Sequence, residues 1–431
     1  YLPSVVTTSD AGAGIGYTGI RVRGVSPLST NVTINGIPFT DAESLGAFWV
    51  NMPDFTSSVE SLQLQRGVGT STNGSGAFGA SVNILTDASS YTPTAEVSNS
   101  FGSYNTRKHS VKFSTGKIND VFELSGRLST INSDGYVDRA FSDLKSYFLQ
   151  GTYNNNGTLI KALVFGGHEK TYQSWEGLTK QQLENDRRQN PYTYENEIDN
   201  YNQDHYQLHW NQKLNQNWST NLGLNYTYGR GYYEQYREDD AVSTYGGIVE
   251  ATGVDFYGTA VTDLIRRRWL DNDFYVINAT ANYKESDLNL IVGGSYSNYD
   301  GDHFGEVIWA RQFASGTSIR DQYYFGNGKK TDFSAFAKAT YTLNSKIDVY
   351  GDLQLRNVGY KTFGLTSDLE NMRIDESYSF FNPKVGVSYQ LASNSSLYAS
   401  YARANREPSR SDFESNPDVK PEQLNDFEMG W

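Results

Sequence analysis

The chain has 431 residues, of which 37% are hydrophobic and 14% aromatic, and its formal net charge is −13. The absence of Cys excludes a disulfide-stapled scaffold, and the many aromatic residues exclude a disordered chain. No run of about 18 apolar residues offers a transmembrane helix, and the negative charge argues against nucleic acid as a partner.

Residues 1–86 are rich in Gly and Ser and contain short segments of β character at 20–23, 32–35, 59–65 and 81–85. We interpret residues 1–88 as a small α+β domain, followed by a linker at 87–93. If a barrel follows directly, such a domain is a candidate plug for its lumen.

After residue 90 the chain repeats segments of about 10–15 residues in which apolar residues alternate with polar or small ones, as in a strand with two different faces. In the segment 122–128, Glu123 and Arg127 share one face, and Phe122, Leu124 and Leu128 share the other. A basic residue that faces lipid at mid-bilayer costs about 2–4 kcal/mol. We therefore expect Glu123 and Arg127 to face a wet lumen.

Short polar turns alternate with long polar loops between these segments. The predicted turns are 117–120, 154–157, 214–217, 284–287, 343–346 and 391–394. The predicted loops are 135–144, 173–203, 236–269, 301–330, 361–377 and 405–421. This alternation is typical of outer-membrane β-barrels, whose long loops are extracellular. A soluble sandwich or propeller, the alternative, does not explain it.

The sequence thus predicts an all-β dominated fold, an antiparallel transmembrane β-barrel over residues 89–431 with the plug in its lumen. We count about 13–14 strands of this barrel. Clustered tyrosines near strand ends fit an aromatic girdle at the membrane interface. These are Tyr226, Tyr228, Tyr232 and Tyr233.

Four stretches near the N-terminus resemble, in order and spacing, the plug signatures of TonB-dependent receptors, the energised transporters of Gram-negative outer membranes. These stretches are 20–24, 32–38, 59–67 and 69–86. Residues 401–408 and 416–430 resemble a barrel motif of the same family, and 51–55 with 66–70 look most like receptors of the Bacteroidetes type. The chain departs from the family at Gly79 and Ala80, where the usual motif has two glycines.

The resemblance implies extracellular capture of a scarce, bulky ligand, followed by a plug rearrangement driven by TonB, without covalent chemistry or a cofactor. A ferric siderophore is the ligand we predict, because it is the family's commonest substrate, and cobalamin, haem and oligosaccharide remain open. The implied surroundings are outer-membrane lipid and the outer membrane of a Gram-negative bacterium. A passive porin or a surface adhesin is the alternative from another class, whereas five scattered His and no Cys do not favour an enzyme.

The family closes its barrel with 22 strands and carries a TonB box before its plug. We therefore expect the chain to be incomplete at both ends, lacking the first part of the plug and the last strands of the barrel. The alternative is that residues 427–431, which end on Trp431, form a barrel-closing strand.

Arginines in the plug signatures are predicted to anchor the plug, since the family implies that they pair with carboxylates of the barrel wall. Guanidinium groups suit bidentate contacts with carboxylates. Lumen-facing Glu123 is one possible partner. The predicted anchoring and gating residues are Arg21, Arg23, Gly24, Arg66 and Gly67.

Folded as in the family, the plug presents segments 11–15, 25–31 and 39–49 to the extracellular vestibule. The candidate ligand-binding residues are Ser29, Phe48, Trp49 and Trp175. Phe48 and Trp49 either stack on a ligand or pack inside the plug. The arginine run 266–268 either attracts an anionic ferric chelate or is solvated loop charge.

No metal site is predicted from the remaining motifs. His205 and His209 share a strand face but are about 13 Å apart, too far for one metal ion. The acidic stretches 271–273 and 300–302 suit either Ca²⁺ or ordinary turns. The stretch 74–79 matches a dinucleotide fingerprint, but a strand follows where that motif needs a helix.

Overall fold

The computed structural model describes residues 4–74, 76, 78–86 and 90–431, and β-strands dominate it. Residues 87–89 of the predicted linker, and Ser75 and Ala77 of the Gly-rich stretch, lie outside the described residues. The strands of the N-terminal region are β1 Val5–Ser9, β2 Thr18–Val22, β3 Thr30–Ile34, β4 Ile37–Pro38, β5 Val59–Arg66 and β6 Ala80–Thr86. The strands that follow are β7 Thr94–Phe101, β8 Arg107–Ser114, β9 Phe122–Ser133, β10 Ser142–Asn155, β11 Thr158–Tyr172, β12 Ile198–Lys213, β13 Trp218–Ala241, β14 Gly253–Val254, β15 Ala260–Glu285, β16 Leu288–Ala310, β17 Gln322–Asn344, β18 Ile347–Gly364, β19 Asp375–Ala392, β20 Ser395–Arg406 and β21 Glu422–Gly430.

Helices are few and short. The two α-helices are α1 Lys180–Asn185 and α2 Arg410–Ser415, and the 3-10 turns are Pro27–Ser29, Trp49–Asn51, Phe55–Ser58, Ser71–Asn73 and Val242–Tyr245. Within the described ranges, no helix has the length and apolar character needed to cross a membrane.

From β7 to β21 the chain forms one antiparallel sheet of 15 strands, in which all strands except β14 follow one another as neighbours. We call the 14 neighbouring strands the wall. Their number lies within the predicted 13–14, and the predicted antiparallel all-β fold is confirmed. The neighbour order runs from β7 to β21, and these two strands do not pair with each other among the described residues.

All six predicted tight turns are confirmed, because each lies between two consecutive strands of the wall. Four of the predicted long loops are wrong in extent: the strands continue into 236–269, 301–330, 361–377 and the end of 173–203. The 26 residues of β15 reach about 86 Å at 3.3 Å per residue, whereas about 9–11 residues cross a bilayer. If β15 crosses a bilayer as the sequence predicts, the rest of the strand stands in water, where both faces are polar and the alternating pattern disappears.

The two faces of the wall differ as predicted. Leu128 is 66% exposed on the outer face, while its neighbour Arg127 is 2% exposed on the inner face. Tyr206, Tyr226 and Tyr275 form a stacked row across three strands, with ring centroids 5.8 and 4.9 Å apart. Of these three residues, Tyr226 belongs to the predicted girdle.

The N-terminal region, which we call the plug, contains a β1–β2 hairpin and a four-stranded sheet in the order β4-β3-β6-β5. The four predicted β segments all fall on its strands. Apolar residues of β3 and β6 pack with wall residues such as Phe148 and Phe165 in one core. Because this core is shared, the plug is positioned against β10 and β11 of the wall.

Candidate functional site

A cavity of about 490 Å³ lies between the plug and the wall, on the side that carries the long connections. Its volume falls within the range of ligand pockets, about 300–1,000 Å³. The plug segment that contains Phe39, Glu43 and Phe48 lines it on one side. The wall and its connections contribute, among others, Glu169, Asp199, Tyr201, Tyr232, Tyr233, Arg268, Trp269, Tyr299, His303, Tyr324, Ser367 and Arg410.

Aromatic side chains form much of the cavity surface. Trp269 contacts Tyr232 with ring centroids 4.6 Å apart and stacks on Phe304 at 5.8 Å. Trp175 meets two residues that line the cavity edge to face, Tyr17 at 5.7 Å and Tyr233 at 5.6 Å. Flat or conjugated groups of a ligand therefore find several rings on which to stack.

The four predicted ligand-binding residues do not lie together. Phe48 lines the cavity and is 39% exposed, and Trp175 adjoins it through its two tyrosine contacts. Trp49 packs against the core that plug and wall share. Ser29 is buried and accepts a hydrogen bond from Arg406 Nη1 at 3.0 Å, so it belongs to a contact between plug and wall.

Glu43 of the plug joins the cavity floor to the wall. Its carboxylate accepts hydrogen bonds from His303 Nε2 at 2.6 Å, from Tyr360 at 2.5 Å and from Arg410 Nη1 at 3.2 Å. Burial would raise the pKa of Glu43, but His303, Arg410 and Tyr360 outweigh burial and hold that pKa at about 2. Glu43 is therefore ionised at neutral pH, and it ties α2 and the wall to the plug.

Ala42, the residue before Glu43, contacts a second group of charged side chains of the wall. Lys330 donates to the carbonyl oxygen of Ala42 at 2.7 Å and also pairs with Glu407 at 2.7 Å. Arg356 bonds both oxygens of Glu407, at 2.8 and 3.0 Å. Neighbouring cations outweigh burial and lower the pKa of Glu407.

Asp54 is the second buried carboxylate of the plug that meets cations of the wall. It pairs with Arg127 at 3.1 Å and with Lys108, and Ser129 donates to it at 2.7 Å. Burial would raise the pKa of Asp54, but hydrogen bonds from Lys108, Ser57 and Ser129 lower it. At Glu43 and Asp54 the plug thus supplies the carboxylate and the wall or α2 supplies the cations, the reverse of the pairing predicted for the plug arginines.

The predicted anchoring arginines make fewer contacts than these carboxylates. Arg23 pairs with Glu428 at 2.7 Å, and both side chains are partly exposed, by 48% and 29%. In the described part of the chain, Arg21 and Arg66 have no ion pair within 4 Å. Glu123 faces the inner side as predicted but is not their partner, because it accepts hydrogen bonds from Ser90 and Ser114.

The two predicted glycines have the left-handed backbone, with φ of +78° at Gly24 and +71° at Gly67. A Cβ at Gly67 would lie 2.4 Å from Asp426 Oδ2, and the next amide, Val68, donates to the same oxygen at 3.2 Å. A side chain at Gly67 would therefore collide with β21, whereas Gly24 has open space around it.

The arginine run 266–268 lies on strand β15, so its interpretation as solvated loop charge is wrong. Arg266 bonds Gln235, Arg267 pairs with Glu234, and Arg268 bonds Tyr233 and lines the cavity. Tyr232 and Tyr233 both line the cavity, so their predicted place in the girdle is wrong.

The other sequence motifs have ordinary partners. His205 stacks on Phe165 and bonds Thr227, while His209 bonds Gln207. The acidic stretches 271–273 and 300–302 face each other across β15 and β16. Asn327 donates to both aspartates of the second stretch, and the described residues include no group of three or more His, Cys, Asp or Glu able to hold a metal ion.

Two family models match the chain. The TonB-dependent Receptor Plug Domain matches residues 1–81, and the TonB dependent receptor-like β-barrel matches residues 151–431. No match was found among curated proteins.

Solved structures of similar fold include the ferric-catecholate import receptor Fiu of E. coli K12 in its open form, with 14% identity and a TM-score of 0.68. The siderophore receptor PiuA of Acinetobacter baumannii has 14% identity and a TM-score of 0.72, and the copper transporter OprC has 13% and 0.73. The alignments cover 91%, 97% and 99% of this chain, and 65%, 65% and 69% of those proteins. The chain thus spans about two thirds of their length, and at this identity the likeness shows the fold.

Proposed function

Because the chain belongs to the TonB-dependent receptor family, we propose that it imports a ferric siderophore across the outer membrane of a Gram-negative bacterium. The ligand binds in the cavity between plug and wall, and TonB supplies the energy for its passage. The protein acts by binding and by movement, without covalent chemistry.

The observation that carries this proposal is the composition of the cavity. Its surface comes from both the plug and the wall, including Phe48 and Glu43 on one side and Trp269 and Arg268 on the other. A ligand bound there touches both parts at once. Binding is therefore able to change the contacts that hold the plug.

The plug lies in the path of any large solute, so transport requires it to move. Movement must separate Glu43 from its three partners and Asp54 from Lys108 and Arg127. Separating a buried ion pair leaves charges without partners, which costs about 3–5 kcal/mol. An external energy source such as TonB supplies this free energy, which thermal motion provides only rarely.

A ferric siderophore suits the chemistry of the cavity. Arg268 supplies a cation and several tyrosines supply hydroxyl groups, which suit the charged oxygens around chelated iron. The rings of Trp269 and Phe48 offer stacking surfaces for catecholate or other flat groups. Two of the similar structures, Fiu and PiuA, are described as a ferric-catecholate import receptor and a siderophore receptor.

A passive porin is the competing function, and ionic conductance separates the two. An open porin passes ions steadily in a planar bilayer, whereas a barrel filled by its plug scarcely conducts. Steady conductance by the intact receptor would favour the porin.

Binding and uptake test the ligand class and the energy source separately. The quenching of tryptophan fluorescence measures the binding of ferric citrate, a ferric tris-catecholate and a ferric tris-hydroxamate to the purified receptor. We expect one of them to bind saturably and to enter cells only when TonB is present. Binding of none of the three, with saturable binding of cobalamin, haem, copper or an oligosaccharide, would overturn the siderophore assignment. Uptake unchanged by loss of TonB would overturn energised import.

A further inference from the structure

Two carboxylates at the cavity wall have no cation beside them. Glu169 on β11 is 1% exposed and Asp199 on β12 is 8% exposed, and both line the cavity. Thr171 is the direct neighbour of Asp199 in the ladder, so Glu169, two residues earlier, lies diagonally across from Asp199. In the described part of the chain, neither carboxylate makes an ion pair within 4 Å.

This pair differs from the other buried carboxylates at the contact between plug and wall. Glu43, Asp54 and Glu407 each lie within 4 Å of at least one cationic side chain. Two carboxylates so close together disfavour each other's ionisation unless a positive charge joins them. A cation placed between Glu169 and Asp199 would therefore stabilise the ionised form of both.

A buried amide oxygen beside the pair also lacks a hydrogen-bond partner. Oδ1 of Asn51 is buried and has no partner within the described residues. The carboxylate of Glu169 has the hydroxyl groups of Thr171 and Tyr17 beside it. The backbone of Asn51 packs on Gly167 of β11, where an added Cβ would lie 2.3 Å from the Asn51 carbonyl oxygen. Since Gly167 and Glu169 share the inner face of β11 and Asn51 also lines the cavity, these oxygens occupy one region.

Tyr17 completes the group from the plug side. Its hydroxyl donates to Asp199 Oδ2. Burial, and then the carboxylates of Glu169 and Asp199, raise the pKa of Tyr17 well above its usual value, so its hydroxyl is neutral at physiological pH. All donor atoms are oxygens, the ligand type that hard cations such as Ca²⁺ prefer.

We propose that Glu169 and Asp199, with the oxygens of Tyr17, Asn51 and Thr171, form a cation-binding subsite at the edge of the cavity. The cation is either a hard divalent metal ion or a protonated amine carried by the transported ligand. Tyr17 and Asn51 belong to the plug, whereas the two carboxylates belong to the wall. A cation bound there holds plug and wall together beside the ligand. The subsite requires only the folded receptor, so it stands independently of the siderophore assignment.

Terbium luminescence tests the metal form of this subsite on the intact receptor in detergent. Tb³⁺ binds oxygen ligands in the manner of Ca²⁺, and nearby tyrosines such as Tyr17 sensitise its emission. We expect a saturable signal that Ca²⁺ displaces, and a half-saturating concentration at least tenfold higher in Glu169→Gln and in Asp199→Asn. Glu414→Gln is the matched control, because Glu414 also lines the cavity but pairs with Arg410. The control variant should bind Tb³⁺ like the wild type.

Methylammonium tests the amine form, with thermal stabilisation of the receptor as the readout. Stabilisation by methylammonium that disappears in Glu169→Gln, without displaceable Tb³⁺ binding, would assign the subsite to an amine. Without added cation, Glu169→Gln should melt no lower than the wild type, because Gln keeps the size of the side chain and places no second negative charge beside Asp199. The proposal is overturned if neither probe distinguishes the two variants from the control, or if Glu169→Gln melts lower without any cation.

Discussion

Replacing Glu43 by Gln removes one negative charge from a contact that joins the plug, the wall and α2. The side chain keeps its size and can still accept a hydrogen bond, but it no longer balances the charge of Arg410. Glu43 has only 4% of its surface exposed, so water does not replace the lost charge. The contacts of the plug with β16, β18 and α2 should weaken together.

The pKa gives the size of the effect. Glu43 has a pKa of about 2 in the folded protein against an ordinary 4.5, and each pH unit corresponds to 1.36 kcal/mol, so the ionised form adds about 3 kcal/mol. Because the folded pKa is depressed, this stabilisation is fully present above pH 4.5. It is lost as the pH falls from about 4.5 to about 2. The substitution Glu43→Gln should remove it at neutral pH.

Thiol labelling reports plug opening directly, because the chain has no Cys of its own. Ser81 of β6 is fully buried in the plug, and Ser81→Cys introduces a single thiol there with little change in volume. The free energy of unfolding falls by about 1–3 kcal/mol per M of urea. A loss of about 3 kcal/mol should therefore lower the urea midpoint of labelling in Glu43→Gln by about 1–3 M. Glu414→Gln in the same background is the control, since Glu414 is 39% exposed and pairs only with Arg410. A midpoint for Glu43→Gln within 0.3 M of the control, on the order of experimental error, would refute the role given to Glu43.

Asp54→Asn should lower the same labelling midpoint by a comparable amount, since breaking a buried ion pair costs about 3–5 kcal/mol, and an unchanged midpoint would contradict the anchoring role. Gly67→Ala should destabilise the plug by about 1–3 kcal/mol more than Gly24→Ala. Both glycines have positive φ, but only Gly67 lies against Asp426. Equal urea midpoints of the two variants would rule out the contact with Asp426. Arg23→Gln should cost less than about 1 kcal/mol because its ion pair is partly exposed, and a larger shift in midpoint would make it a principal anchor. Trp175→Ala should weaken ferric chelate binding about tenfold, and unchanged fluorescence titrations would place the ligand elsewhere.

The sequence predicts the parts of the fold that depend on local pattern. Alternation of apolar and polar residues predicts the inward direction of Arg127 and the β segments of the plug. Gly-rich and polar segments between the strands predict the tight turns. The upper halves of β13 and β15 lack this alternation, because both faces of a strand are polar outside the membrane, and so they could not be predicted as strand.

Contacts between plug and wall do not follow from local pattern. Glu43 and Tyr360 are 317 positions apart in the sequence, and only the folding of the whole chain brings them together. One signal in the sequence does point to these contacts, since the plug has few carboxylates and three of them, Asp41, Glu43 and Asp54, lie in the stretch 41–54. The predicted pairing of plug arginines with wall carboxylates is seen at Arg23 and Glu428, whereas the buried contacts at Glu43 and Asp54 have the opposite arrangement of charges.

In the proposed mechanism, the ligand passes only when the plug moves relative to the wall. Gly16 of the plug and Ser142 of β10 are close enough for a disulfide across this contact, because the Cβ atoms would be 3.8 Å apart, close to the usual disulfide spacing. Since Cys is strained at the φ of +83° of Gly16, the reduced double variant is the control for correct folding. A control disulfide within the wall is available at Ser295 and Ser334, which are direct neighbours on β16 and β17. Uptake of radioactive iron, supplied as the chelate that binds, is measured in cells carrying each double Cys variant, before and after reduction. The proposed mechanism predicts that Gly16→Cys/Ser142→Cys blocks uptake until it is reduced while the control pair transports normally, and uptake at the wild-type rate through the oxidised plug cross-link would contradict it.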